Sequence, residues 1–174
     1  MNLWFRVIWL LLTAFRRARV GVLDSARLSY RVLPSDLDLN IHMTNARYLS
    51  FMDLGRTDLI IRTGLARVMM RHKLQAVIGG SLVRFRRSLR PFQRFSVETR
   101  LLAWDERWLY IEQVISSKGV VACSAQMRGA FVQNGVIVAP HDLFGMLGQS
   151  PEQPDLPSWI GQWKDAETAA FATG

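Results

Sequence analysis

With 174 residues, 49% of them hydrophobic and 21% charged, the chain is long enough to bury one core unaided, and its composition excludes a disordered or low-complexity class. Its one cysteine, Cys123, cannot form an internal disulfide, and its three histidines lie far apart without zinc-ligand spacing, so a reducing compartment and a metal-free, cofactor-independent domain are expected. The formal charge of +8 suits a polyanion such as a coenzyme phosphate, an acidic carrier protein, anionic lipid or nucleic acid, but no zinc-finger spacing, RNA-recognition signature or basic recognition helix supports the last of these.

Residues Leu3 to Phe15 are apolar except for Arg6 and Thr13, and Arg16, Arg17 and Arg19 follow. The run is well short of the roughly 20 residues that a bilayer-spanning helix needs. A secretory signal places its cations before the apolar run, whereas here they come after, so export is not expected. Two readings remain open. A helix at the membrane interface would bury Trp4, Phe5, Ile8, Trp9, Leu11 and Leu12 with arginines on headgroups, while the alternative packs the helix on the domain or a partner subunit.

From Ser25 to Leu33, Ala26, Leu28, Tyr30 and Val32 alternate with Arg27, Ser29 and Arg31, the pattern of a half-buried strand. Pro34, Ser35 and Asp36 stop it. Asn45 then reads as a helix N-cap, and Tyr48, Phe51, Met52, Gly55 and Leu59 recur at helical spacing over several turns. Gly55 on this stripe costs about 1 kcal/mol relative to Ala, which a close approach to another backbone would explain. A restart of the helix is expected over Ala66 to His72.

The second half reads as strands near Gln75–Ser88, Phe95–Trp104, Trp108–Ile115 and Val120–Val132, with a return strand at Val136–Val138. Short links separate them, Asn134-Gly135 being a strong hairpin signal, and they imply that successive strands are antiparallel neighbours. Cys123 lies in the apolar run Val120–Cys123 and reads as a buried thiol rather than a nucleophile. A short helix is expected from Pro140 to Leu147, then a polar linker over Gln149–Pro157 and an amphipathic tail at Trp159–Phe171. Strand, long helix and antiparallel meander make an α+β domain. The expected segments are an apolar and basic N-terminal helix over 1–22, the globular domain over 23–148, and linker and tail over 149–174.

Functional side chains crowd the stretch between the first strand and the long helix, DLDLNIHMTNARYLSFMDLGR, which begins at Asp36. A helix N-terminus offers free N–H groups and partial positive charge to an oxyanion, and a nearby carboxylate supplies a nucleophile or a base. As a bland alternative, aspartates here close turns, a role that suits Asp36 better than Asp38.

This stretch resembles the signature of hotdog-fold thioesterases, D-x-D followed by G-H-V-N-N and A-x-Y. Asp38 falls on the catalytic aspartate of the 4-hydroxybenzoyl-CoA thioesterase family, and Asn45, Ala46 and Tyr48 match its helix-opening positions. The spacing of Asp38, Asn40 and His42 is also similar to the active-site run of plant acyl-carrier-protein thioesterases, whose further acidic residue would fall near Ala76, where no Asp or Glu stands. DLDLN, NARYL, RRSLRPF and LLAWDERW extend the resemblance, over roughly Arg31 to Val132, to the thioesterase-superfamily-member-6-like proteins. Two departures are Ile41 for the usual Gly and Thr44 for the first Asn.

The resemblance implies a hotdog fold, an antiparallel sheet wrapped around one long helix, dimeric through its sheet edges or a dimer of dimers. It implies an acyl-CoA or acyl-carrier-protein thioesterase in which Asp38 attacks the thioester or activates water, Asn40 orients water or substrate, and His42 assists or ties the loop down. Substrate contacts are expected from Asn45, Tyr48, Met52 and Val83 along the acyl tunnel. Arg84, Arg86, Arg87 and Arg90 are suited to phosphates of coenzyme A or phosphopantetheine, or else form a solvated face. The chain is expected in the cytoplasm, peripheral to the inner membrane face if residues 3–19 bind lipid. Rival readings are a non-catalytic acyl-thioester-binding hotdog protein, a basic nucleic-acid module, and a dehydratase, which generally pairs a His with an acid from the helix or a partner chain.

Overall fold

The computed structural model describes residues 3–14 and 16–172; Phe15, the end of the apolar run, and positions 1, 2, 173 and 174 lie outside the described residues. The order of elements is α1 (Leu3–Ala14), β1 (Ala26–Arg31), a 3-10 turn (Pro34–Asp36), α2 (Asn45–Thr63), α3 (Leu65–His72), β2 (Gln75–Phe85), β3 (Arg94–Trp104), β4 (Leu109–Ser117), β5 (Val120–Gln133), β6 (Val136–Val138), α4 (Pro140–Leu147) and α5 (Trp159–Phe171).

The alternation in β1 orients it as expected: Ala26 and Leu28 are buried, Arg27 and Ser29 exposed, and Leu28 lies opposite Val97 of β3. All strand pairs are antiparallel and the order is β1-β3-β4-β5-β2, with β6 also on β5. The β5–β6 hairpin turns on Asn134 and Gly135, whose φ values of 50° and 85° are the pair of positive values that a tight primed turn requires. One expected neighbourhood is corrected. β2 does not pair with β3 but with β5, because residues 86–93 are not a tight turn: Arg86 and Arg87 donate to the Ala122 carbonyl and Leu89 is buried as the segment crosses the sheet end.

The stripe of Tyr48, Phe51, Met52, Gly55 and Leu59 is buried, pressing α2 onto β1, β3 and β4. Thr44, not Asn45, is the N-cap residue, so Asn45 is the first residue of the helix. Gly55 has a packing reason: a methyl group there would lie 2.5 Å from Thr99 Oγ1 and 3.1 Å from Gln113 Nε2. Buried Gln113 uses that closeness to donate to Thr99 Oγ1 at 2.9 Å and to the Met52 carbonyl at 2.8 Å, and its own oxygen accepts from Arg56 at 2.6 Å. Such a saturated polar network fixes the helix on the sheet without leaving buried orphans. Gly64, at φ 90°, ends α2 in the left-handed conformation that favours glycine, and α3 restarts from it.

Two outer helices flank this unit. Leu10 and Ala14 of α1 are buried in the core, whereas Trp4, Phe5, Ile8, Trp9, Leu11 and Leu12 are exposed. No helix among the described residues is long and apolar enough to cross a membrane. α5 packs through Ile160 and Trp163 on Tyr110, and Lys164 donates to Asp105 at 2.6 Å. The curled antiparallel sheet around α2 agrees with the hotdog fold expected above.

Candidate active site

The loop between the 3-10 turn and α2 is held by its own backbone. Asp38 N–H donates to the His42 carbonyl at 2.9 Å, Ile41 N–H to the Asp38 carbonyl at 3.1 Å, and Met43 N–H to the Leu89 carbonyl at 2.9 Å, stitching the loop to the β2–β3 connection. Closing so short a circuit puts Ile41 at φ 58°. A β-branched side chain rarely tolerates that region, so the position where related loops carry Gly keeps a glycine-like backbone under strain.

Within this loop the two aspartates differ. Asp36 is only 1% exposed, and its carboxylate accepts from Arg6 Nη1 at 2.9 Å, Arg6 Nη2 at 2.7 Å and Leu33 N–H at 2.9 Å, with Arg47 Nε at 3.5 Å. Asp38 is exposed, and its Oδ1 accepts from the backbone N–H of Asn40 at 2.9 Å and of His42 at 3.4 Å. Leu39 and Ile41 on the same loop are 102% and 64% exposed, an apolar rim around the carboxylate. Asn40 is exposed and His42 half-buried, so the three residues proposed for chemistry share one short loop.

That loop runs straight into α2, whose N-terminus has no side-chain cap. Arg47 N–H donates to the Thr44 carbonyl at 2.9 Å, so it is the N–H groups of Asn45 and Ala46 that retain donor capacity, and the helix dipole adds partial positive charge. Asn45 is exposed at this end. Tyr48, one turn on, is buried: its hydroxyl donates to the Arg87 carbonyl at 3.1 Å and accepts from Leu89 N–H at 3.1 Å, and burial pushes its phenol above the usual range. Its ring meets Phe85 edge-on at 5.5 Å. Met52 is fully buried below it, and Val83 packs half-buried on the same core. Arg84, Arg86, Arg87 and Arg90 are all exposed, and none has an ion-pair partner among the described residues. Because side chains alternate along a strand, Arg84 points away from the face on which Phe85 meets Tyr48.

A separate cavity of about 270 Å³ lies between the second half of α2 and the sheet, lined by Leu59, Ile60, Ile78, Leu101, Ile111 and Phe131. Its charged residues, Asp53 and Arg56, form an ion pair one turn apart on α2. Burial lowers the Arg56 pKa while Asp53 opposes the shift. Sequence reasoning passed over this pair; the visible signal was Arg56 adjoining Gly55 on the buried stripe, with a carboxylate three residues before it. Among the described residues no three His, Cys, Asp or Glu side chains gather as a metal site. Burial pushes the Cys123 thiol up to about 11, leaving it protonated and inert near neutrality.

Comparison with known proteins places these features in a family. The model of the thioesterase-like superfamily matches residues 32–163. Protein THEM6 of Xenopus laevis is 35% identical over 132 residues, which are 74% of this chain and 64% of that protein, so the match spans somewhat less than two thirds of this relative. The solved probable thioesterase YbaW of Escherichia coli is 21% identical with a TM-score of 0.65, covering 70% of this chain and 95% of that one. A Staphylococcus aureus protein solved in complex with CoA is 14% identical with a TM-score of 0.63, covering 83% and 96%. At these identities the two structures speak for the fold. The family match takes in β3, β4, β5 and all of α2 with the loop that carries Asp38: this chain belongs to the thioesterase-like superfamily.

Proposed function

We propose that the protein hydrolyses an acyl thioester of coenzyme A or of an acyl carrier protein to the free acid and the thiol, with Asp38 at the reacting centre. The observation that carries this reading is the exposed Asp38 carboxylate on a strained loop that feeds the uncapped N-terminus of α2. Asp38 either attacks the thioester carbonyl, expelling the thiolate and forming an acyl-enzyme that water cleaves, or takes a proton from the attacking water. In both routes charge develops on the carbonyl oxygen, and free N–H groups of the first turn of α2 are suited to receive it. Asn40 orients water or substrate, and His42 steadies the loop or assists with a hydrogen bond. Arg84, Arg86, Arg87 and Arg90 supply cations for the phosphates of the thiol carrier, and Asn45 borders the reacting carbonyl.

The reading includes a homodimer. β2 ends the sheet order, and Val77, Ile78, Leu82 and Phe85 along it are between 38% and 46% exposed. A long apolar edge of this kind invites pairing with another strand. Antiparallel pairing of two copies about Gly80, the centre of β2, sets residues 76–78 of one copy opposite residues 82–84 of the other. The apolar cavity beside Ile78 then adjoins the end of the other copy's β2, the end on which its Tyr48 and Asp38 loop sit. In that arrangement the acyl group occupies the cavity and the thioester lies at Asp38, with Val83 and, behind it, Tyr48 and Met52 as the wall between them.

A panel of short, medium, long and aromatic acyl-CoA thioesters, followed by thiol release and by binding, tests the proposal. Turnover of one class supports it. Tight binding of acyl-CoA without thiol release from any CoA or carrier-protein thioester would replace it with a non-catalytic acyl-binding protein.

A further inference from the structure

We infer that α1 is a fixed membrane-contact surface that inserts one face into an anionic phospholipid bilayer while the other face stays locked to the fold. At 3.6 residues per turn, Trp4, Phe5, Ile8, Trp9, Leu11 and Leu12 share one side of the helix, and Leu10 and Ala14 share the opposite side. The first group is exposed, with Trp4 at 74%, Phe5 at 75% and Trp9 at 65%; the second is buried in the core. A contiguous aromatic and aliphatic surface of this size marks an interaction site rather than scattered surface residues.

Its flanks select the partner. Arg16 and Arg19 follow the helix and are exposed. Near the other end, Arg31 and Arg94 stand directly opposite each other across the β1–β3 pair and share an open groove with Lys118 and Arg6 of α1. Like charges directly opposite on paired strands cost stability unless an anion lies near them. Among the described residues none of Arg16, Arg19, Arg31, Arg94 or Lys118 takes part in an ion pair. Tryptophans between cations match a bilayer surface, where indole rings sit at headgroup level and guanidinium groups meet phosphates.

The helix is not free to leave and float on the bilayer. Arg6 pairs with Asp36 at 2.7 Å and lies 4.5 Å from the Phe51 ring, and Arg17 pairs with Asp58 at 3.1 Å. Both carboxylates are buried, so detaching α1 with the Arg17 that follows it would take from each its nearest guanidinium, leaving Asp36 with Arg47 at 3.5 Å and Leu33 N–H, and Asp58 with Arg62 at 3.4 Å. The domain therefore docks as one rigid piece. This inference does not rest on the hydrolase reading, and its test uses no substrate.

The full chain is sedimented at low salt with vesicles of phosphatidylcholine, with and without phosphatidylglycerol, and its tryptophan emission is read with brominated acyl chains in the bilayer. Wild type should bind the anionic vesicles with quenching. The double variant Trp4→Ser with Trp9→Ser should lose about a hundredfold in partitioning at an unchanged melting temperature, since its packing face is untouched. Arg16→Glu with Arg19→Glu should lose about tenfold, on anionic vesicles only. The inference is overturned if wild type stays in solution with both vesicle types, or if the tryptophan variant sediments as wild type does. It is equally overturned if wild type ignores vesicles but self-associates through a contact that the tryptophan variant abolishes, because a second copy would then cover this face.

Discussion

The two carboxylates on either side of Leu37 belong to opposite surroundings. Asp36 is sealed beneath α1, with both oxygens taken by Arg6 and one also by Leu33 N–H. Asp38 stands exposed, its Oδ1 engaged only by two N–H groups of its own loop. A carboxylate with saturated partners holds structure, and one left open on the loop that leads into α2 keeps its lone pairs for another molecule. The same division runs through the protein: the polar network under α2 is closed on itself, and the loop and β2 edge are not.

The strongest way to break this comparison is Asp36→Asn. It strands the guanidinium groups of Arg6 and Arg47, and stability should fall by about 3 kcal/mol, or about 6 to 12 °C in melting temperature. Denaturant titration with unchanged stability would show that the α1 anchor is ornamental. Gly55→Ala comes next. Helix propensity alone predicts a gain of about 1 kcal/mol, but the collision with Thr99 Oγ1 should convert it into a net loss of about 2 kcal/mol.

How far these contrasts were visible in the sequence depended on the distance between partners. The strand alternation, the stripe on α2, the Asn-Gly hairpin and the restart after Gly64 are local, and they came within a few residues of the observed bounds. The place of β2 was not local. The short link between β2 and β3 reads as a turn back, but whether a link turns back or crosses depends on what receives it, here the Ala122 carbonyl. For α1, the apolar pattern was equally compatible with packing and with exposure, and the structure divides it between the two. In the D-x-D pair, Asp36 is set apart by Arg6, which is 30 positions away, a contact that no spacing rule reaches.

Smaller effects sharpen the picture of the loop and the far side of the sheet. Ile41→Gly should raise stability by about 1 kcal/mol, because glycine adopts φ 58° without strain and Ile41 is mostly exposed; calorimetry showing a loss would mean that the isoleucine side chain is packed against something. In the β3–β4 turn beneath α5, Asp105 resists desolvation by burial through hydrogen bonds from Lys164, the backbone of Arg107 and Trp108, and Tyr110, which together lower its pKa to about 2. A depressed folded pKa gives stability that is full above the unfolded value, about 3.9, and fades as pH falls through about 2. Hydrogen exchange of α5 should accelerate over that window, and Asp105→Asn should abolish the step.

The central claim rests on Asp38, and the direct measurement is thiol release by Asp38→Asn on whichever thioester the wild type turns over. The exposed side chain makes few contacts, so the variant should melt within about 0.5 kcal/mol of wild type. Its turnover should fall by about a hundredfold or more, while binding of the thioester substrate is retained. A folded Asp38→Asn protein that releases thiol at the wild-type rate would contradict the account and move the chemistry elsewhere in the molecule.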